Sequence, residues 1–80
     1  MPDAYIEKIP PQNLEAEMAV LGSMLIDEDA ISVAAESLDK DLFYKDTHRK
    51  VFEAIIGLYS SNKAVDRITL TDELKRKGNL

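Results

Sequence analysis

Not one of the 80 residues is a cysteine. A chain this short has no disulfide or thiolate metal site to staple it, so apolar faces of its own secondary structure must hold it together, commonly with help from neighbouring domains or subunits. The single histidine, His48, also excludes a zinc site built from several imidazoles of this chain. Apolar material is sufficient. Hydrophobic residues make up 45% and charged residues 31%, the balance of a globular domain rather than a disordered or fibrous one. No apolar run approaches ~18 residues, so no segment is expected to span a bilayer. Asp3 and Glu7 interrupt the N-terminus where a signal peptide needs an apolar stretch. The expected address is the cytoplasm, with no membrane partner.

Periodicity predicts helices. Residues 1–11 read as an extended arm, because Pro10-Pro11 fixes φ and crowds Ile9 out of the helical region. From residue 12 onward the chain reads as one helical domain. Asn13 is a suitable N-cap for a first helix over residues 14–26, with Glu15 and Glu17 as first-turn acids. Leu14, Met18, Leu21 and Leu25 are spaced four, three and four apart and predict one buried stripe. Ala16, Ala19, Val20 and Ser23 leave the opposite side small, which suggests a central helix that neighbours approach closely.

A second helix is expected over residues 28–38, with stripe Ile31, Ala34, Ala35 and Leu38. Residues 39–46 read as a connector pinned by Leu42, Phe43 and Tyr44. The clearest helix covers residues 47–61. His48, Phe52, Ile55 and Tyr59 centre its wide apolar face, Asp46 or Thr47 can cap it, and Asn62 tolerates the left-handed conformation that ends helices. Val65 and Ile68 are expected to anchor the next loop. Thr69-Leu70-Thr71-Asp72 matches the start of a last short helix, with Asp72–Arg76 and Glu73–Lys77 pairs and Gly78 as its stop. The expected fold is therefore all-α, a small orthogonal bundle. Its core would be Leu14, Met18, Leu21, Leu25, Phe43, Phe52, Ile55, Tyr59, Leu70 and Leu74.

Chemistry-bearing patterns are sparse. His48 reads as a core-edge histidine at a helix start, since no Ser, Cys or carboxylate stands at a spacing that completes a catalytic set. Asp27-Glu28-Asp29 fails as a calcium loop, because the sixth and twelfth positions are Ser32 and Leu38 rather than Gly and Glu. These acids read instead as caps. Lys75-Arg76-Lys77 complements a helix C-terminus without any ligand, and Arg49 and Lys50 read as solvated. Glycines at 22, 57 and 78 are too far apart to form a phosphate cradle. No catalytic, cofactor-binding or metal residue is therefore assigned. Residues 1–46 carry a net charge of −8 and residues 47–80 one of +3. That division suits a protein-docking module and weighs against autonomous nucleic-acid binding.

Three blocks carry a more specific signal. The run from Ile9 to Glu17, continued by Ala19-Val20-Leu21-Gly22-Ser23, closely resembles the opening of the replicative DNA helicase DnaB family. Asp41-Leu42-Phe43-Tyr44 with His48-Arg49-Lys50-Val51-Phe52 is similar to that family's next block, and Val65 to Leu70 with Leu74 and Gly78 to its third. The resemblance covers about residues 9–80. It implies most of the family's helical N-terminal domain, a non-catalytic collar that supports a hexamer arranged as a trimer of dimers, receives the primase DnaG and helps helicase loading. It also implies a separate motor domain that binds ATP and Mg²⁺, contacts DNA and unwinds it 5′ to 3′. The family's domain continues with further helices, including a subunit-pairing hairpin, so the resemblance implies that some normally covered apolar surface is exposed here. The motifs assign no primase-contact residue; the exposed acids of the first half are the electrostatic candidates. Three other readings stand beside this one: a helical DNA-binding module, a small enzyme, and the same domain in a phage or paralogous replication protein.

Overall fold

The computed structural model describes residues 13–79, so the expected arm at 1–11 lies outside the described residues. Among these there are four α-helices, α1 (Leu14–Ile26), α2 (Glu28–Ser37), α3 (Asp46–Ser60) and α4 (Arg67–Arg76), with a 3₁₀ turn at Lys40–Leu42 between α2 and α3. The fold is all-α, as the periodicity predicts.

α3 is the hub. It packs against α1, α2, the 3₁₀ turn and α4, whereas α1 packs against α2 and α3. The expectation that α1 sits centrally is thus corrected, and the reason lies in face width. α3 buries five positions, His48, Phe52, Ala54, Ile55 and Leu58, so it can serve neighbours on several sides. Phe52 stacks on Phe43 with ring centroids 5.1 Å apart. Leu21 of α1 and Leu70 and Leu74 of α4 complete the expected part of the core, and Met24 and Ile31 join it at 1% exposure. Leu25 and Tyr59 are half-buried against this cluster.

Two expected core residues are not in it. Leu14 is 39% and Met18 62% exposed. The buried positions of α1 are Glu17, Leu21 and Met24, with Val20 beside them. At 3.6 residues per turn, that face is rotated by roughly 80° from the Leu14–Met18–Leu21–Leu25 stripe. Three further anchors also point outward. Leu42 and Tyr44 are exposed, leaving Phe43 alone to pin the connector, and Ile68 is exposed while Val65 packs. Ala35 of α2 is exposed as well.

Local signals set the ends. Asn13 caps α1 by accepting from the Ala16 N–H at 3.1 Å, and Asp27 caps α2 by accepting from the Asp29 N–H at 2.9 Å. α4 begins earlier than Thr69. Asp66 is its N-cap, in a reciprocal box where the Thr69 N–H donates to Asp66 Oδ1 and the Asp66 N–H to Thr69 Oγ1, both at 2.9 Å. Arg76 pairs with Glu73 rather than Asp72, at 2.7 Å. Asn62, with φ +60°, closes α3, and Gly78, with φ +77°, closes α4.

Candidate functional site

α3 starts without a side-chain cap of its own. Lys45 is its N-cap and offers no cap hydrogen bond, and neither Asp46 nor Thr47 takes that place. The polar partner comes from α1 instead. Glu17, 7% exposed, accepts from the Tyr44 N–H at 2.6 Å, from the Lys45 N–H at 3.4 Å and from His48 Nδ1 at 2.7 Å. A carboxylate only accepts, so Nδ1 is the protonated ring nitrogen. Burial pushes the Glu17 carboxyl up, but the Tyr44 amide, the His48 ring and the Lys45 amide together outweigh it and hold it below the ordinary glutamate range. Arg49 Nε donates to the Phe43 carbonyl at 2.7 Å, so Arg49 is a tether and not a solvated side chain. Residues 43–45 are thereby held by a carboxylate on their N–H groups and a guanidinium on a carbonyl.

A histidine with Nδ1 on a carboxylate has the orientation of a general base. Here the ring is buried, and no hydrogen bond among the described residues brings a hydroxyl to it. The arrangement is a structural lock between α1 and α3. Sequence spacing alone hid Glu17, which reads as a first-turn acid. The available signal was that Glu17, Leu21 and Met24 also share one helical face, with the chain's single histidine on another apolar face.

The remaining candidates are accounted for locally. Asp27 and Asp29 serve the α2 cap, Lys50 pairs with Asp46 at 3.1 Å, and Arg76 and Lys77 both lie near Glu73. Among the described residues no group of three or more His, Asp or Glu side chains gathers in a metal-binding arrangement. No described helix is long and apolar enough to cross a membrane.

What the surface does offer is a trough. Between α1 and α2 lies an open groove of about 530 Å³, with Met24, Ala30 and Ala34 in its lining and Val20, Val33 and Leu38 beside them. A second hollow of about 200 Å³ shares Val20 and Leu38 and continues past Ala16 to Leu42 and Phe43. Of the small residues that the sequence places opposite the Leu stripe, Ala16, Val20 and Ser23 therefore line a groove. The Ser23 hydroxyl bonds the Ala19 carbonyl at 2.9 Å, which satisfies that polar group within α1. Such a surface is suited to shape-matched apolar contact.

Residues 9–80 match the family model described as the DnaB-like helicase N terminal domain. The replicative DNA helicase DnaB of Rhodothermus marinus is 47% identical over 73 residues, covering 91% of this chain and 8% of that helicase. The replicative DNA helicase DnaC of Bacillus subtilis is 40% identical over 74 residues, 92% of this chain and 16% of that protein. The crystal structure of the N-terminal domain of DnaB helicase from Mycobacterium tuberculosis superposes with a TM-score of 0.83 at 43% identity, covering 88% of this chain and 51% of that one. The chain thus spans less than a fifth of the length of these helicase relatives.

Proposed function

Because this chain belongs to the family of DnaB-like helicase N-terminal domains, we propose that it acts as a non-catalytic assembly and docking domain of a replicative helicase. In this reading it supports a hexameric collar built as a trimer of dimers and receives primase and the helicase loader in the cytoplasm. Unwinding of duplex DNA 5′ to 3′ belongs to a motor portion of the longer protein. ATP and Mg²⁺ belong there too, since the residues described here fit neither. Glycines 22, 57 and 78 form no phosphate cradle, and no acidic cluster of metal-ligand geometry is present among the described residues.

The observation that carries the reading is the contrast between the two polar and apolar features. Among the described residues the one buried titratable pair is closed upon itself, while an apolar trough stands open on helices from the acidic half of the sequence. Chemistry needs an accessible reactive group, whereas docking needs accessible apolar area with a polar rim. The rival of a DNA-binding module is disfavoured by the same geometry, because the basic run at the end of α4 is partly paired with Glu73 and no Lys or Arg lines the trough.

The test uses a whole helicase carrying this domain and a counterpart with residues 13–79 deleted. The deleted form is expected to lose primase binding and to show a weakened hexamer by light scattering, while the separate 80-residue chain shows no ATP hydrolysis. Retention of both hexamer and primase binding by the deleted form would sink the proposal.

A further inference from the structure

We infer that residues 39–45 form a strap that opens as one unit, with Phe43 as its single apolar anchor and the Glu17 carboxylate as the clasp that keeps it shut. This is a conformational device within the fold, separate from the docking role proposed above.

The strap joins Leu38, the C-cap of α2, to the N-cap of α3 at Lys45, and it includes the 3₁₀ turn. It contributes little to the core. Among residues 39–45 only Phe43 is buried, and all the others are exposed. The Phe43 ring rests on Phe52. Its other attachments to the body are polar. Glu17 accepts from the Tyr44 and Lys45 N–H groups, Arg49 Nε donates to the Phe43 carbonyl, and Lys40 Nζ lies 3.1 Å from Glu53 Oε2. That last pair is solvated at both partners and adds little. A segment with one buried side chain and a largely solvated backbone belongs to the least stable part of a fold, and withdrawal of one ring frees all of it.

Glu17 suits the clasp because it stands on a different element. α1 packs against α2 and α3, so the carboxylate stays in place when the strap lifts. The His48 ring holds it from the α3 side at 2.7 Å. His48 is the charged or titratable side chain that faces Glu17; Lys45 offers its backbone N–H, and no other residue lining the hollow beside Glu17 titrates. Two apolar hollows flank the strap and share Leu38. One, of about 200 Å³, takes in Leu42 and Phe43, and the other, of about 210 Å³, has Phe52 and Ile56 in its lining beside Asp39 and Lys40. Lifting Phe43 bares Phe52 and joins the two, so the strap closes an apolar face that the resting fold keeps from water.

The experiment measures amide hydrogen exchange by NMR on the isotope-labelled 80-residue chain over a urea series, with rates corrected to their intrinsic values. The Leu42, Phe43, Tyr44 and Lys45 amides are all hydrogen-bonded while the strap is shut. They are expected to share one opening constant, larger than that of the Ile55 and Leu58 amides and nearly insensitive to low urea, as befits a small local opening. Glu17→Gln, which removes the charge that serves three donors, should raise that constant roughly tenfold to a hundredfold. Leu74→Val, on α4, should speed the Ile55 and Leu58 amides a few-fold and leave the strap unchanged. Acid should raise the opening constant only as the pH falls below ~4.3, where the clasp begins to take up its proton. Unequal constants for the four amides, a urea dependence as steep as that of Ile55, or acceleration by Leu74→Val equal to that of Ile55 would each overturn the inference. So would exchange that ignores either Glu17→Gln or acid. If Glu17→Gln does not fold, the urea and pH series on the parent chain decide the matter. None of these readouts involves primase or the hexamer, so the docking reading stands or falls separately.

Discussion

α1 is the more apolar of the two helices, yet α1 and α3 use their faces in opposite ways. α3 turns Phe52, Ala54, Ile55 and Leu58 inward and leaves Lys50, Glu53 and Ser60 less covered, so its polar and apolar sides separate cleanly. α1 turns a carboxylate inward and exposes Leu14, Met18 and Ile26. The difference shows that burial follows whichever face can be satisfied completely. α3 meets that condition with hydrocarbon everywhere except His48, and α1 meets it with three hydrogen bonds to Glu17 from a segment 27 to 31 residues away, one of them from that His48.

The comparison predicts effects of very different size. Phe52→Ala, which empties a position packed on Phe43 at the centre of the hub, should cost ~3–5 kcal/mol in urea unfolding; an unchanged midpoint would remove Phe52 from the core. His48→Leu keeps volume but leaves the Glu17 carboxylate without its ring partner, at a cost of about 1–3 kcal/mol. Stability equal to the parent chain would show that the lock is dispensable.

The lock also has a pH signature. Glu17 is held below the ordinary glutamate value of ~4.3, so its contribution is fully present above that unfolded-state value and disappears as pH falls through the depressed folded value. Urea midpoints of the parent chain and Glu17→Gln should therefore differ most at about pH 6 to 7 and converge as the pH falls below ~4.3. A constant gap across that range would contradict an ionised Glu17 in the lock. Smallest of all, Met18→Gln on the exposed side of α1 should stay within ~0.5 kcal/mol of the parent. A loss of 2 kcal/mol or more, roughly the scale of core truncation, would mean that the leucine-spaced stripe is the buried one after all.

Much of the fold was legible in residue order. Helix positions, the Asn13 and Asp27 caps, the Asn62 and Gly78 stops and the separated faces of α3 all follow from local rules that operate within one turn. Errors fall where two local answers were possible. Thr69 can begin a capping box or serve as the third residue of one opened by Asp66, and the reciprocal bonds with Asp66 show that it does the latter. Leu42-Phe43-Tyr44 offers three anchors to a space that holds one ring, and the stacking of Phe43 on Phe52 decides which. Arg49 looks free in the sequence because its partner is a backbone carbonyl, a group every residue carries.

By itself the amino-acid order determined that the described residues fold as helices, that no cysteine staples them, and where most of those helices start and stop. Those properties depend on φ/ψ preferences and on neighbours three or four residues away. Tertiary structure alone decided the rotation of α1, the Glu17–His48 lock and the trough that the small face of α1 lines. Each of these depends on which distant groups meet, and a buried carboxylate is stable only where donors from another part of the chain converge on it.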